Sequence, residues 1–81
     1  MKHAGPDALA RLADLLSAIR TRRLAEKRPG IFYREGKAWL HFHEDKAGLF
    51  ADLRVGVEWE RFRVSDAGEK ANLLTLIDRS L

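Results

Sequence analysis

The chain contains no cysteine. Disulfides and thiolate metal sites are therefore excluded, and the absence fits a reducing compartment. No stretch approaches the ~20 consecutive apolar residues of a membrane span. The opening Met1-Lys2-His3-Ala4-Gly5-Pro6 lacks the apolar core of a signal peptide, so the expected location is the cytoplasm. Proline occurs only at positions 6 and 29, and there are no repeats, linkers or low-complexity segments. The six glycines stand at breaks or singly, and none forms a phosphate-binding loop. Ser17, Ser65 and Ser80 fall on a helix surface, at a cap and near the terminus, which gives none of them an activating base. The carboxylates at Glu44-Asp45 and at Glu58 and Glu60 lie at loop and strand ends, where acids are normally solvated. A domain this small has little room for an enclosed pocket. Neither an enzyme nor a cofactor is expected.

What is present is ordinary in amount and uneven in placement. Eighty-one residues, 46% of them hydrophobic, make one domain over 1–81, with residues 1–6 as a flexible lead-in. A chain of this length buries only ~60% of its unfolded surface, so its stability is modest. The net charge is +3. Arg20, Arg22, Arg23, Lys27, Arg28, Arg34 and Lys37 stand against only Glu26 and Glu35 in that segment, which implies a basic patch at one end of the molecule. Such a patch attracts nucleic acid or anionic lipid, or simply solvates a helix end.

Helical spacing of Leu9, Leu12, Leu16 and Ile19, widened by Leu15, predicts a first helix from about Asp7 to Glu26. Pro6 suits its first position, and Pro29-Gly30 stops it. Glu35-Gly36 reads as a two-residue hairpin turn. That turn pairs Tyr33 with Ala38 and Ile31 with Leu40 on one face, and sets Phe32 opposite Trp39 and Arg34 opposite Lys37 on the other. A four-residue loop over Glu44 to Ala47 pairs Phe42 with Leu49, Leu40 with Ala51 and Ala38 with Leu53, which gathers the aliphatics on one face. A break at Gly56 leads to a fourth strand over Glu60 to Val64, reached by a two- or a four-residue turn. Asp66 with Glu69 looks like a capping box opening a second helix, whose apolar face is Leu73, Leu74, Ile77 and Leu81. The expected fold is α+β: a two-layer sandwich of a four-stranded antiparallel meander with both helices on one face, in the order α-β-β-β-β-α.

The other face of that sheet carries Phe32, Arg34, Lys37, Trp39, His41, Phe50, Asp52, Arg54, Arg61 and Arg63. Three rings in water would be an exposed apolar patch. Three explanations fit: self-association through this face, most simply as a homodimer; nucleic-acid binding, with bases on the rings and phosphates on the arginines and on the basic end of the first helix; or ordinary cross-strand packing under the arginine stems. Asp52 suits a pair with Arg54, Arg61 or Arg63 better than it suits a phosphate. His41 and His43 alternate along one strand and project to one side, so together with a carboxylate they are the chain's candidate metal pair. No second histidine pair exists and His3 lies in the lead-in, so no metal site is assigned.

Gly36-Lys37-Ala38-Trp39-Leu40, followed by Gly48-Leu49-Phe50-Ala51-Asp52-Leu53-Arg54, resembles the central hairpin of the MmcQ/YjbR-like and YdhG-like groups of small bacterial α+β proteins. The resemblance covers about a third of the chain. His41-Phe42-His43-Glu44-Asp45 has no counterpart in it, and no functional residue transfers. The helix–sheet–helix order also looks like the frataxin layout. Frataxins bind iron through an acidic first helix; here that helix is basic where it is charged, so iron binding does not carry over. Membership of the MmcQ/YjbR-like group would favour DNA binding. The expectation is a non-catalytic interaction module of bacterial type acting through the outer sheet face, with a nucleic-acid-binding module as the alternative.

Overall fold

The computed structural model describes residues 1–81. It contains β1 (Lys2–His3), α1 (Pro6–Arg11), α2 (Ala13–Arg20), β2 (Ala25–Arg28), β3 (Ile31–Arg34), β4 (Lys37–Asp45), β5 (Gly48–Val55), β6 (Glu58–Arg63) and α3 (Ala67–Ser80). The fold is α+β with one open antiparallel sheet of six strands and three helices, larger than the four-stranded meander expected. The path runs β2-β3-β4-β5-β6, and β1 pairs separately with β4.

Both extra strands come from segments the pattern assigned elsewhere. The helical stripe ends at Arg20, not Glu26, and the chain turns at Thr21. Pro29-Gly30, read as a helix stop, is instead the turn of a hairpin in which Ala25 pairs with Tyr33 and Glu26 with Phe32. Gly30 has φ +76°, and a Cβ there would lie 2.8 Å from Leu9 Cδ2, so the position demands glycine. Glu26 ties the hairpin together by accepting from the Gly30 backbone N–H at 3.0 Å and from Arg20 at 2.6 and 2.9 Å. The single helix expected before it is broken at Leu12, whose φ and ψ of −98° and 5° are not helical. The segment read as a flexible lead-in is paired. Lys2 faces Glu44, His3 faces His43, and the Ala4 N–H donates to the Phe42 carbonyl at 3.0 Å.

The four central strands follow the expected order with corrected registers. Arg34↔Lys37 and Tyr33↔Ala38 hold, closed by a turn in which Glu35 (φ 54°) and Gly36 (φ 80°) are both left-handed. Beyond that turn the register slips. Phe32 faces Leu40 and Ile31 faces His41, leaving Trp39 as an extra residue in β4. This bulge overturns the pairing of Phe32 with Trp39 and moves Phe32 to the inner face, where it is fully buried. Between β4 and β5 the turn has two residues rather than four, giving Leu40↔Leu53 and Phe42↔Ala51. A shift of two leaves every side chain on its expected face. The last hairpin uses the shorter alternative, with Val55↔Glu58 and Ala51↔Phe62.

One core holds the layers together. Leu12 at the junction of the first two helices and Leu15, Leu16 and Ile19 from α2 meet Phe32, Leu40, Phe42, Ala51 and Leu53 from the sheet and Leu73 and Ile77 from α3. Each fully buried Leu, Ile or Phe contributes about 1.5–3 kcal/mol by removal from water. The capping box expected for α3 is formed: Asp66 accepts from the Glu69 N–H at 2.8 Å, and Glu69 accepts from the Asp66 N–H at 3.1 Å. Leu81, expected on its apolar face, is exposed, and Leu74 is only partly buried. No helix is long and apolar enough to cross a membrane.

Candidate functional site

With the helices gathered on the inner face, the outer face of the sheet keeps its chemistry near solvent, and that chemistry divides between two regions. The first lies where the β3–β4 and β5–β6 hairpin turns come together. A cleft of about 460 Å³ opens there, lined by Arg34, Lys37, Trp39, Arg54 and Val57 among others. Arg34 stacks its guanidinium over the Trp39 ring at 5.6 Å, and Arg54 stacks over Trp59 at 4.4 Å. Arg54 Nε also donates to the Ala38 carbonyl at 3.1 Å. Stacking fixes each fork against a ring. Glu35 is the one acid in the lining, so the cleft is cationic.

The second region is built from β1, β4, β5 and β6. His41 Nδ1 and His43 Nε2 are 2.8 Å apart. His43 Nε2 is also 3.1 Å from Asp52 Oδ2. Arg61 grips Asp52 with two bonds, Nε to Oδ1 at 2.7 Å and Nη2 to Oδ2 at 2.8 Å. The His3 ring stacks on His43 with centroids 4.6 Å apart, and His41 lies 4.5 Å from the Trp59 ring. Period-two alternation places His41, His43 and Asp52 together: Asp52 is opposite His41 on the neighbouring strand and Arg61 is opposite Asp52. His43 and Asp52 are only 8% exposed, the two most deeply buried ionisable groups in the chain.

Burial sets the protonation states. It holds the His41 ring below the usual imidazole range, and the neighbouring His43 adds to the depression. His43 is lowered chiefly by burial as well; Asp52 and the Lys2 backbone, near the ring but outside hydrogen-bonding geometry, pull the other way. The Arg61 fork holds the Asp52 carboxyl below the ordinary carboxylate range. At neutral pH the cluster is thus two neutral rings beside an ionised carboxylate neutralised by Arg61.

Of the residues singled out in the sequence, Arg34, Lys37, Trp39 and Arg54 meet at the cleft, and His41, Arg61 and Asp52 meet at the cluster. Phe32 belongs to neither. Trp39 is 5% exposed and joins the core, and Phe50 is half-buried opposite His43 and Arg63. The expected row of three open rings therefore does not form. Arg63 leans toward Glu69 at 3.5 Å. The basic segment is divided by internal partners: Arg20 binds Glu26, Arg22 binds Asp78 with two bonds of 2.9 Å, and Lys27 sits 5.7 Å over the Tyr33 ring. Arg23 and Arg28 make no ion pair. Two further residues join these regions: Trp59, which the sequence pattern did not single out, and His3, which it set aside in the lead-in. Trp59, 39% exposed, follows from the two-residue turn at Gly56-Val57, which sets it opposite Arg54. His3 has no local signal, because its partner strand lies some forty residues away. No family model matches the chain, and neither a curated protein nor a solved structure does.

Proposed function

We propose that the chain is a non-catalytic binding module that receives an acidic protein segment at the hairpin end of its outer sheet face. The observation that carries this reading is the cationic cleft itself. Arg34, Lys37 and Arg54 surround Trp39 with only Glu35 opposing them. Both arginines are held in place by rings, and a fork held in place loses less entropy when it takes a carboxylate with two parallel bonds. The rim is apolar: Val55 is 42% and Val57 87% exposed, beside Trp59. A segment with carboxylates among apolar side chains matches both features.

Two details favour a protein over a nucleic acid. The rings that would stack bases are covered by guanidinium groups or lie in the core, and Arg20 and Arg22 of the basic segment are committed to internal ion pairs. A second copy of this chain is the other occupant to consider, through the face or through an open edge of the sheet. Antiparallel self-pairing of the open β6 edge about a two-fold axis brings together residues on the same side of the sheet. Registers centred on Glu60 or Arg61 set that residue against itself, and those centred on Trp59 or Phe62 set Glu58 against Glu60 or Arg61 against Arg63, each of which is unfavourable.

The test is an amide NMR titration at low salt with a peptide alternating Glu and Leu, and separately with its Gln counterpart. The acidic peptide should shift the resonances of Arg34, Lys37 and Arg54 and both indole N–H signals, and Arg54→Gln should weaken the effect. No shift with the acidic peptide would sink the reading. Shifts produced instead by a single-stranded oligonucleotide and reversed by salt would favour the nucleic-acid module. Sedimentation at high micromolar concentration reports whether a second copy already occupies the face.

A further inference from the structure

We propose that His3, His41 and His43 form a binding site for a divalent transition-metal ion of the zinc type, with Asp52 and Arg61 as its supporting shell. One ring nitrogen from each of the three histidines lies within 4.8 Å of the others. Bonds of ~2.0–2.1 Å to a tetrahedral ion set ligand nitrogens about 3.3 Å apart, so the three rings need only close by a small movement. His3 supplies that freedom, since it is exposed and sits on a two-residue strand.

A second observation points independently to a ligand. Asp52, ionised and clamped by Arg61, can only accept, so the His43 Nε2 that lies 3.1 Å from it carries the proton. Nε2 also lies 2.8 Å from His41 Nδ1, and His41 gives up that contact when its lone pair turns to the ion. On a neutral ring the proton on Nε2 leaves Nδ1 of His43 as a bare lone pair. That atom is buried and has no hydrogen-bond partner. A buried acceptor with nothing donating to it is costly and rare. A metal ion is one of the few partners that would satisfy it.

The arrangement reproduces the order carboxylate, imidazole, metal, in which the carboxylate fixes the tautomer and raises the basicity of the ligating nitrogen. Arg61 extends it by one step. Three imidazoles without a thiolate suit zinc, copper(II) or nickel rather than calcium or magnesium, which take oxygen ligands. With three protein ligands the ion keeps a fourth position open, and the Trp59 ring lies beside His41 with centroids 4.5 Å apart. Because His3 belongs to β1 and the other two ligands to β4, the ion would also fasten the N-terminal strand to the sheet. This site stands apart from the acidic-segment reading and shares no ligand with the cleft.

The experiment is calorimetric titration of zinc chloride into the whole chain in a non-coordinating buffer, with imidazole resonances followed by NMR. Wild type should bind one ion with all three histidine rings shifting. His3→Ala, His41→Ala and His43→Ala should each weaken binding by about tenfold or more, and Asp52→Asn by about 10–100-fold. His3 is exposed and outside the core, so His3→Ala tests the site even if the buried variant fails to fold. Absence of a one-to-one complex overturns the proposal. So does binding that His3→Ala abolishes but His41→Ala leaves intact, because that would place the ion on the N-terminal segment alone.

Discussion

The two faces of this sheet carry residues of similar type under opposite rules. Phe32 and Phe50 make the comparison sharpest. Both read from the sequence as members of one outer aromatic row, yet Phe32 is fully buried beneath the helices and Phe50 stays half-buried on the open face. On the inner face a side chain is fixed by what surrounds it. On the outer face it is fixed by one or two directed partners: a guanidinium on a ring, a carboxylate in a fork, an imidazole against an imidazole. The inner face therefore sets stability and the outer face sets which groups remain available for binding.

The strongest way to break that distinction is to remove the two phenylalanines separately. Phe32→Ala should cost about 3–5 kcal/mol, a large share of the total stability of a domain this size. Phe50→Ala should cost less than half as much. Chemical denaturation of both variants measures the difference, and equal losses would mean that the bulge at Trp39 does not divide the faces as described.

Next in size is the Asp52–Arg61 fork. Asp52→Ala removes the carboxylate that Arg61 grips and that lies 3.1 Å from His43 Nε2, and should cost about 1.5–3 kcal/mol, the range for hydrogen bonds to a charged group. Arg61→Ala, which leaves a carboxylate with little exposure unpaired, should destabilise the fold in the same direction. Arg63→Ala, whose contact with Glu69 is long and exposed, should stay within about 0.5 kcal/mol.

The histidines give the comparison a pH axis. Burial lowers the pKa of His41 and His43 in the fold below the ordinary value of 6.5. The unfolded chain therefore takes up protons first as pH falls. Stability contributed by the neutral rings is fully present above the unfolded value and is lost as pH drops below 6.5 toward the folded values. Asp52 shifts in the same direction at lower pH: its depressed pKa stabilises the fold above the ordinary carboxylate range and that contribution is lost as pH falls through the folded value. Melting temperature against pH should decline below 6.5, and the decline should flatten in His43→Gln. A profile unchanged by that substitution would show that the rings are not the responsible groups.

The smallest effect belongs to a turn that serves both faces. Glu35 occupies a left-handed position with φ 54°, which asparagine and glycine accept more readily than glutamate. Glu35→Asn should stabilise the chain by a few tenths to about 1 kcal/mol. It also removes the one acid from the cleft, so acidic-peptide binding should tighten in the same variant.

Elements whose signals are local were legible from the sequence: the Glu35-Gly36 turn, the Asp66 capping box, the inward aliphatics of β4 and β5, and the side-by-side placement of His41 and His43. The misreadings share a physical cause. A bulge carries no periodicity of its own, so Trp39 looked like any alternating residue and drew Phe32 to the wrong face. The basic end of the first helical stripe continued a helical phase, and only pairing with β3 makes Ala25–Arg28 a strand. Asp52's partner was narrowed to three arginines because all of them alternate onto one face; the two-residue hairpin then selects Arg61. His3 could not be reached by any local argument, because its neighbours are decided by β4.

That last pairing has a consequence in time. Lys2 and His3 stand about forty residues before their strand partners, Glu44 and His43. Contacts of such separation close late, after local hairpins have formed. A two-residue strand is also held by few bonds and opens with little free energy. The N-terminal strand should thus dock last and exchange its amide protons first, so that the three imidazoles come together only in molecules that have completed folding.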